Sequence, residues 1–245
     1  MLVLLIIFWK IQGTLKLRFS EWSIWGATPR RIIRIGVPAA WDGILSWMGQ
    51  YVYLYIISQL DNDETGSSIF AAHIIGVRLE GICYLTATAW GQAAATLVGQ
   101  SLGAEKPLRA RQSGHEAVYQ CAIPIFFVSL FFFFGSEIIY HWMHTDPRVI
   151  AAGSGAFKLL AWVELPLMMS IIYICALRGA GNTFVPFLIN MLGIFLVRLP
   201  FAWLFGIYLD GGLIGAWTGM AIDTIFRAIL VWLYYIWGPW DRTVV

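Results

Sequence analysis

Six apolar segments, at roughly 35–60, 68–98, 114–140, 150–177, 185–209 and 212–237, are each long enough to cross a bilayer, and little chain is left between them. A hydrocarbon core about 30 Å thick takes about 20 helical residues. Inside it every backbone N–H and C=O must be satisfied within the segment, which leaves the α-helix as the local solution. The fold class expected is therefore all-α, a polytopic membrane protein with six transmembrane helices. Only 12% of the 245 residues are charged and 59% are hydrophobic, against roughly one quarter charged in soluble domains. No stretch has room for a separate soluble domain.

Loop charge alternates. Six Lys and Arg precede the first segment, three lie in 99–113 (Lys106, Arg109, Arg111), Arg178 falls in the 178–184 turn and Arg242 in the tail. The alternate loops hold Arg148 alone, a bias of 11 to 1. Basic residues accumulate in cytoplasmic loops, so both termini are expected in the cytoplasm; the localisation expected is the plasma (inner) membrane. Met1 to Trp9 is apolar but too short to span, and reads as the end of a helix that begins elsewhere. Residues 1–34 are thus a partial helix with a basic cytoplasmic linker, and 35–240 the membrane region. A net charge of +2 gives no reason to expect a nucleic-acid partner; membrane lipid is the partner implied. Cys83, Cys121 and Cys175 lie inside apolar segments without paired spacing and read as lone thiols, not as a disulfide or metal set. Small residues (Gly91, Ala93, Ala94, Ala95, Gly99; Gly211, Gly212, Gly215, Gly219) point to closely packed helices. The aromatics Trp232, Tyr234, Tyr235, Trp237 and Trp240 read as interface anchors, and Phe131 to Phe134 as lipid-facing bulk.

Polar residues inside such segments are costly and are functional candidates by default. Asp42, Ser46, Gly49, Gln50 and Tyr53 follow one another at offsets of 4, 7, 8 and 11 and so share a helix face. His73, Glu80, Tyr84 and Thr88 repeat the arrangement at offsets of 7, 11 and 15. A cation or substrate path and a hydrogen-bonded seam between helices both fit these stripes. Glu164 precedes Pro166 in mid-helix, where either an unwound ion site or a simple kink with an interfacial acid is expected. Arg78 points away from Glu80 and is expected to pair across to another helix or to snorkel, as is Lys158. Asp223 and Arg227 stand four apart in the order that favours an intrahelical ion pair. Arg198, before Pro200, needs an acidic partner. No HExxH, GxSxG or Walker motif is present. The glycine-rich run Gly179–Thr183 follows a helix and not a strand. Neither a catalytic residue nor a bound cofactor or metal is expected.

Several of these runs, taken in order, resemble one family. Ala71-Ala72-His73, Arg78-Leu79-Glu80 and Leu97-Val98-Gly99-Gln100-Ser101-Leu102-Gly103-Ala104 are similar to the eighth helix and inner loop of the multidrug and toxic compound extrusion (MATE) transporters. Leu177-Arg178-Gly179-Ala180-Gly181-Asn182-Thr183 with Pro186 resembles the turn after the tenth helix. Val197-Arg198-Leu199-Pro200, and Asp223 with Arg227, resemble the eleventh and twelfth. The resemblance covers Arg34 to Trp240. It implies two six-helix lobes around a cavity, with this chain as the C-terminal lobe and Met1–Trp9 as a remnant of helix six. It also implies export of organic, often cationic, compounds in exchange for Na+ or H+ as coupling ion. A missing N-terminal lobe, or a second copy of the chain, is the expected protein partner. The acids that some members carry on helices seven and ten fall here on Ser46 and Leu167, with Asp42 and Glu164 about one turn away. Two rival expectations are a lipid-linked saccharide flippase of the same superfamily and an inactive truncated or scaffolding membrane protein.

Overall fold

The computed structural model describes residues 27–60 and 68–242. The expected remnant at Met1–Trp9, most of the basic linker and the acidic run Asp61–Glu64 lie outside the described residues. Six long helices follow one another: α1 (Ala27–Ser58), α2 (Ser68–Gly103), α3 (Pro107–Met143), α4 (Pro147–Gly179), α5 (Phe184–Tyr208) and α6 (Gly212–Trp237). Five of them, α2 to α6, are long and apolar enough to cross a membrane. The 32-residue α1 is not among the five; it starts with Arg30, Arg31 and Arg34 and carries the stripe from Asp42 to Tyr53. It begins at residue 27, eight residues before the segment expected from hydropathy, because helical backbone continues into the charged flank. By compactness the chain divides into Met1–Arg34 and Ile35–Val245.

Helix stops and starts are set locally. Pro107 and Pro147 open α3 and α4, and Asp146 caps the latter by accepting from the Arg148 N–H at 2.9 Å. α4 ends in a Schellman turn: Asn182 N–H reaches Leu177 O at 3.0 Å while Gly181 takes φ 81°. The Asn182 side chain then accepts from Val185 N at the start of α5 and donates to Tyr234 Oη at 2.8 Å. The glycine-rich run is therefore a helix-to-helix turn. α5 is not a uniform helix. Leu192–Arg198 and Leu204–Tyr208 are wide turns in which, for instance, Leu199 N–H reaches back to Ile194 O, five residues earlier. Pro200 brings no N–H to the ladder, and such widened turns absorb the mismatch.

α4 is the centre of the bundle, packed on α2, α3 and α6, while α5 lies on α6. Small residues set the closest approaches, as expected. A Cβ at Gly179 would fall 2.3 Å from Ala95 O, and one at Gly215 would fall 2.2 Å from Phe205 O. Two aromatic expectations are corrected. Of Phe131–Phe134, the first and last are exposed, but Phe132 is buried against Phe157 and Phe133 packs on Trp162. Four consecutive helical residues turn through more than one face. Tyr235 and Trp240 are buried as well and are not interface anchors. The Tyr235 hydroxyl donates to Ala110 O at 3.1 Å, and Trp240 Nε1 donates to Tyr235 O at 2.7 Å.

Candidate functional site

Residues from four helices converge on one polar knot. Asp223 of α6 is fully buried and takes both guanidinium groups available to it. Arg227, one turn on, bonds both carboxylate oxygens at 2.8 Å, and Arg198 Nε of α5 donates to Oδ2 at 2.8 Å. The intrahelical pair is the one its spacing announced, and Arg198 has the acidic partner it required. Room for the triad comes from Gly193 in the first wide turn of α5. A Cβ there would lie 2.3 Å from Asp223 Oδ1 and 2.5 Å from Arg227 Cγ and Cδ.

One carboxylate facing two guanidiniums leaves a positive charge over, and Glu80 of α2 lies within electrostatic reach of both arginines. Tyr53 of α1 places its ring 5.9 Å below the Arg198 guanidinium and donates its hydroxyl to Ala216 O at 3.1 Å. His73, one ring away from Tyr53 at 5.7 Å between centroids, accepts from Trp217 Nε1 at 3.1 Å. That bond places the His73 proton on Nε2, which is buried without a partner among the described residues. Tyr53, His73 and Glu80, predicted on separate stripes, thus meet Arg198, Asp223 and Arg227 at one place.

The remaining candidates lie apart. Asp42 is not an open acid: Arg178 Nη2 is ion-paired with it and Asn190 Nδ2 donates to both its oxygens at 3.1 and 3.3 Å. Arg178 belongs to the last turn of α4 and not to a loop, which is how it reaches α1. Ser46 and Gln50 are half-buried between these two groups. Tyr84 does not join His73 and Glu80 inside the bundle; it is 51% exposed, because it lies to one side of the buried stripe that Cys83, Ala87 and Gly91 continue along α2. Arg78 is exposed and has no ion pair among the described residues, and Lys158 is exposed too.

Glu164 departs from both readings of its motif. α4 stays helical through Pro166, so nothing is unwound, and the acid is not interfacial. It is 0% exposed, and neither carboxylate oxygen has a hydrogen-bond partner among the described residues. The Cys83 thiol, a weak donor at best, and Glu80 are its titratable neighbours.

Two groups were missed by sequence reasoning. Asn190 is an amide inside an otherwise apolar segment, a signal that was present. The other is a clamp where α3 begins. Arg111 ion-pairs with Asp241 at 2.9 Å, donates to the carbonyls of Ile236 and Gly238, and stacks 5.3 Å over the Trp240 ring. Beside it His115 Nδ1 shares a 2.8 Å hydrogen bond with Tyr173.

The MatE family profile matches residues 38–204, more than half of the chain. A probable multidrug resistance protein NorM of Thermotoga maritima is 29% identical over 230 residues, covering 92% of this chain and 47% of that protein. Human multidrug and toxin extrusion protein 1 is 25% identical over 97% of this chain and 41% of its own length. A solved MATE in the bent conformation superposes with a TM-score of 0.85 at 14% identity, over 96% of this chain and 51% of that one. The chain spans about half the length of these curated relatives. With a family profile matched along most of its helices and a backbone that follows half of a MATE structure, the chain belongs to the MatE family of membrane transporters and carries about one lobe of that fold.

Proposed function

We propose that the chain forms one lobe of a secondary antiporter that exports organic or cationic drugs and toxic metabolites in exchange for Na+ or H+. Its setting is the plasma membrane, with both termini cytoplasmic as the loop charges suggest. The lobe works with a partner lobe, either an N-terminal one or a second copy, and no enzymatic step or resident cofactor is involved. The observation that carries this reading is Glu164, an acid at 0% exposure to whose oxygens the described residues offer only the weakly donating Cys83 thiol, beside a second acid at Glu80. An unpaired buried carboxylate is costly by several kcal/mol. A bound proton or Na+ relieves that cost, and exchanging it ties ion movement to a change of conformation.

The charge inventory favours a cationic over an anionic substrate. Among the described residues Arg198 and Arg227 share Asp223 and Arg178 pairs with Asp42, which leaves Arg78 and Lys158, both exposed, as the intramembrane cations open to the phosphates of a lipid-linked saccharide. The test is efflux of a fluorescent organic cation from vesicles under an imposed Na+ or H+ gradient, after the intact mass of the native protein has established which second lobe it works with. Glu164→Gln and Glu80→Gln are expected to abolish the gradient dependence, and Asp42→Asn to leave it largely intact. Gradient-driven efflux at the wild-type rate in both glutamine variants would remove these acids from the mechanism.

A further inference from the structure

The seam between α2 and α4 holds a polar pair that stands apart from the arginine network. Buried residues recur at steps of four on both helices: Cys83, Ala87 and Gly91 on α2, and Glu164, Met168 and Ile172 on α4. The two stripes meet at Gly91, where a Cβ would fall 2.9 Å from Cys175 Sγ and 3.6 Å from Ile172 Cα. About two turns back along each helix, the same seam sets the Cys83 thiol against the Glu164 carboxyl. Both side chains are out of water, at 1% and 0% exposure.

What Glu164 meets there is limited. Glu80 and Cys83, both on α2, are the titratable groups that act on it. Glu80 brings a second carboxyl, on which Arg198 and Arg227 act in turn, and Cys121 of α3 acts on Cys83. Nearby hydroxyls are spent on their own helices: Thr86 donates to Ile82 O and Ser170 to Leu167 O. Among the described residues the Cys83 S–H is thus the one donor that can turn to Glu164. A thiol donates weakly, but any hydrogen bond gains when its acceptor is charged. The contact therefore counts in one state. With a proton or Na+ on Glu164 the thiol adds little; once that ion has left, it is what a bare buried carboxylate has. We propose that Cys83 is a positioning residue for Glu164, holding the carboxylate in its ion-free state and so setting how readily the acid releases its ion. In the proton case the Glu164 O–H bond breaks, its electron pair stays on the carboxylate and the proton passes to water. The Cys83 S–H bond stays intact throughout. This rests on the reading of Glu164 as the ion-exchanging acid, and adds the group that tunes it.

The experiment records infrared difference spectra of the full chain in phosphatidylcholine nanodiscs as the pH is raised in potassium buffer, and again with Na+ added. The carboxyl band of Glu164 is the one absent from Glu164→Gln, and the S–H stretch of Cys83 is the one lost in Cys83→Ser. In the unmutated chain that stretch should move to lower frequency as Glu164 loses its ion, and in Glu164→Gln it should hold one position at every pH. Cys83→Ala removes the donor and should raise the midpoint of the Glu164 band by about half to one pH unit, a roughly three- to tenfold change. Cys83→Ser restores a donor of similar size and should return the midpoint to the wild-type value or below. An S–H stretch that ignores the Glu164 transition would overturn the proposal from the unmutated chain, whether or not the variants fold. Equal displacement of the midpoint by Ala and Ser would overturn it too, since the thiol would then only fill space. A Glu164 band that responds identically in wild type and Cys83→Ala removes Cys83 alone. One that responds to neither pH nor Na+ overturns the ion-exchange reading, and this inference with it.

Discussion

Asp223→Asn is the substitution with the largest effect to be worked out from the structure. The variant keeps the side-chain volume but removes the carboxylate that Arg198 and Arg227, only 16% and 12% exposed, share between α5 and α6, and leaves Glu80 of α2 within their electrostatic reach. Three charge-assisted hydrogen bonds of 2.8 Å are weakened together. Each is worth about 1.5–3 kcal/mol, but bonds sharing one carboxylate are not additive. Removing one partner of a buried ion pair costs about 3–5 kcal/mol. At roughly 2–4 °C per kcal/mol for a chain of this size, the thermal midpoint in detergent should fall by about 6–20 °C, followed by the loss of the monodisperse peak in size exclusion. Gly193→Ala acts on the same triad from α5 and should lower the midpoint in the same direction. Combined with Asp223→Asn it should add less than its own cost, since the strained contact is then already released. Replacing all three charges by Leu and Met should recover much of the loss, because a well-packed apolar triad needs no desolvation. A midpoint for Asp223→Asn within about 1 °C of wild type would refute the account of the triad as the counter-charged joint between α5 and α6.

Smaller perturbations follow from the other contacts. Asp42→Asn breaks a pair whose arginine is partly exposed; a loss of about 1 kcal/mol or less and faster hydrogen exchange in α1 near residue 42 are expected, with no change elsewhere. Gly179→Ala sets a methyl 2.3 Å from Ala95 O and 2.6 Å from Ala95 Cα, so backbone must move; overpacking of this kind costs about 1–3 kcal/mol, read as a lower midpoint. Arg111→Ala removes the donors to Ile236 O and Gly238 O and the ion pair to Asp241. Limited proteolysis after Trp237 should accelerate while the midpoint stays nearly unchanged, and equal cleavage rates would show that Arg111 does not hold that segment.

Much of the fold was legible because it is local. Segment lengths, helix-opening prolines and the stop at Leu177–Asn182 depend on neighbours in sequence, and the helices fall close to where hydropathy placed them, except that α1 and α3 start earlier and α2 runs on to Gly103, so that most of the expected 99–113 loop is helical. The site was legible only in part. Asp223–Arg227, four residues apart, is a property of one helix. Arg198 with Asp223, 25 apart, and Asp42 with Arg178 and Asn190, 136 and 148 apart, depend on how several helices are rotated and at what depth they meet. The same limit explains Tyr84 and Glu164. Periodicity placed Tyr84 on the face of His73 and Glu80, but how wide a stripe of that face is covered depends on where the neighbouring helices lie, and here the buried stripe passes through Cys83 and Ala87 beside it. The Glu164–Pro166 motif suggested a break, yet the packing of α4 among α2, α3 and α6 keeps it helical and closes over the acid.

The sequence alone determined that the chain is a set of helices for a bilayer, because within one long apolar segment the α-helix satisfies every polar backbone group without water. It also determined the charge bias between the two ends of those helices. Only the tertiary structure decided which buried charges are neutralised by one another and which acid stands alone. A one-dimensional pattern records the direction a side chain takes from its own helix, and not the identity of the group it meets there.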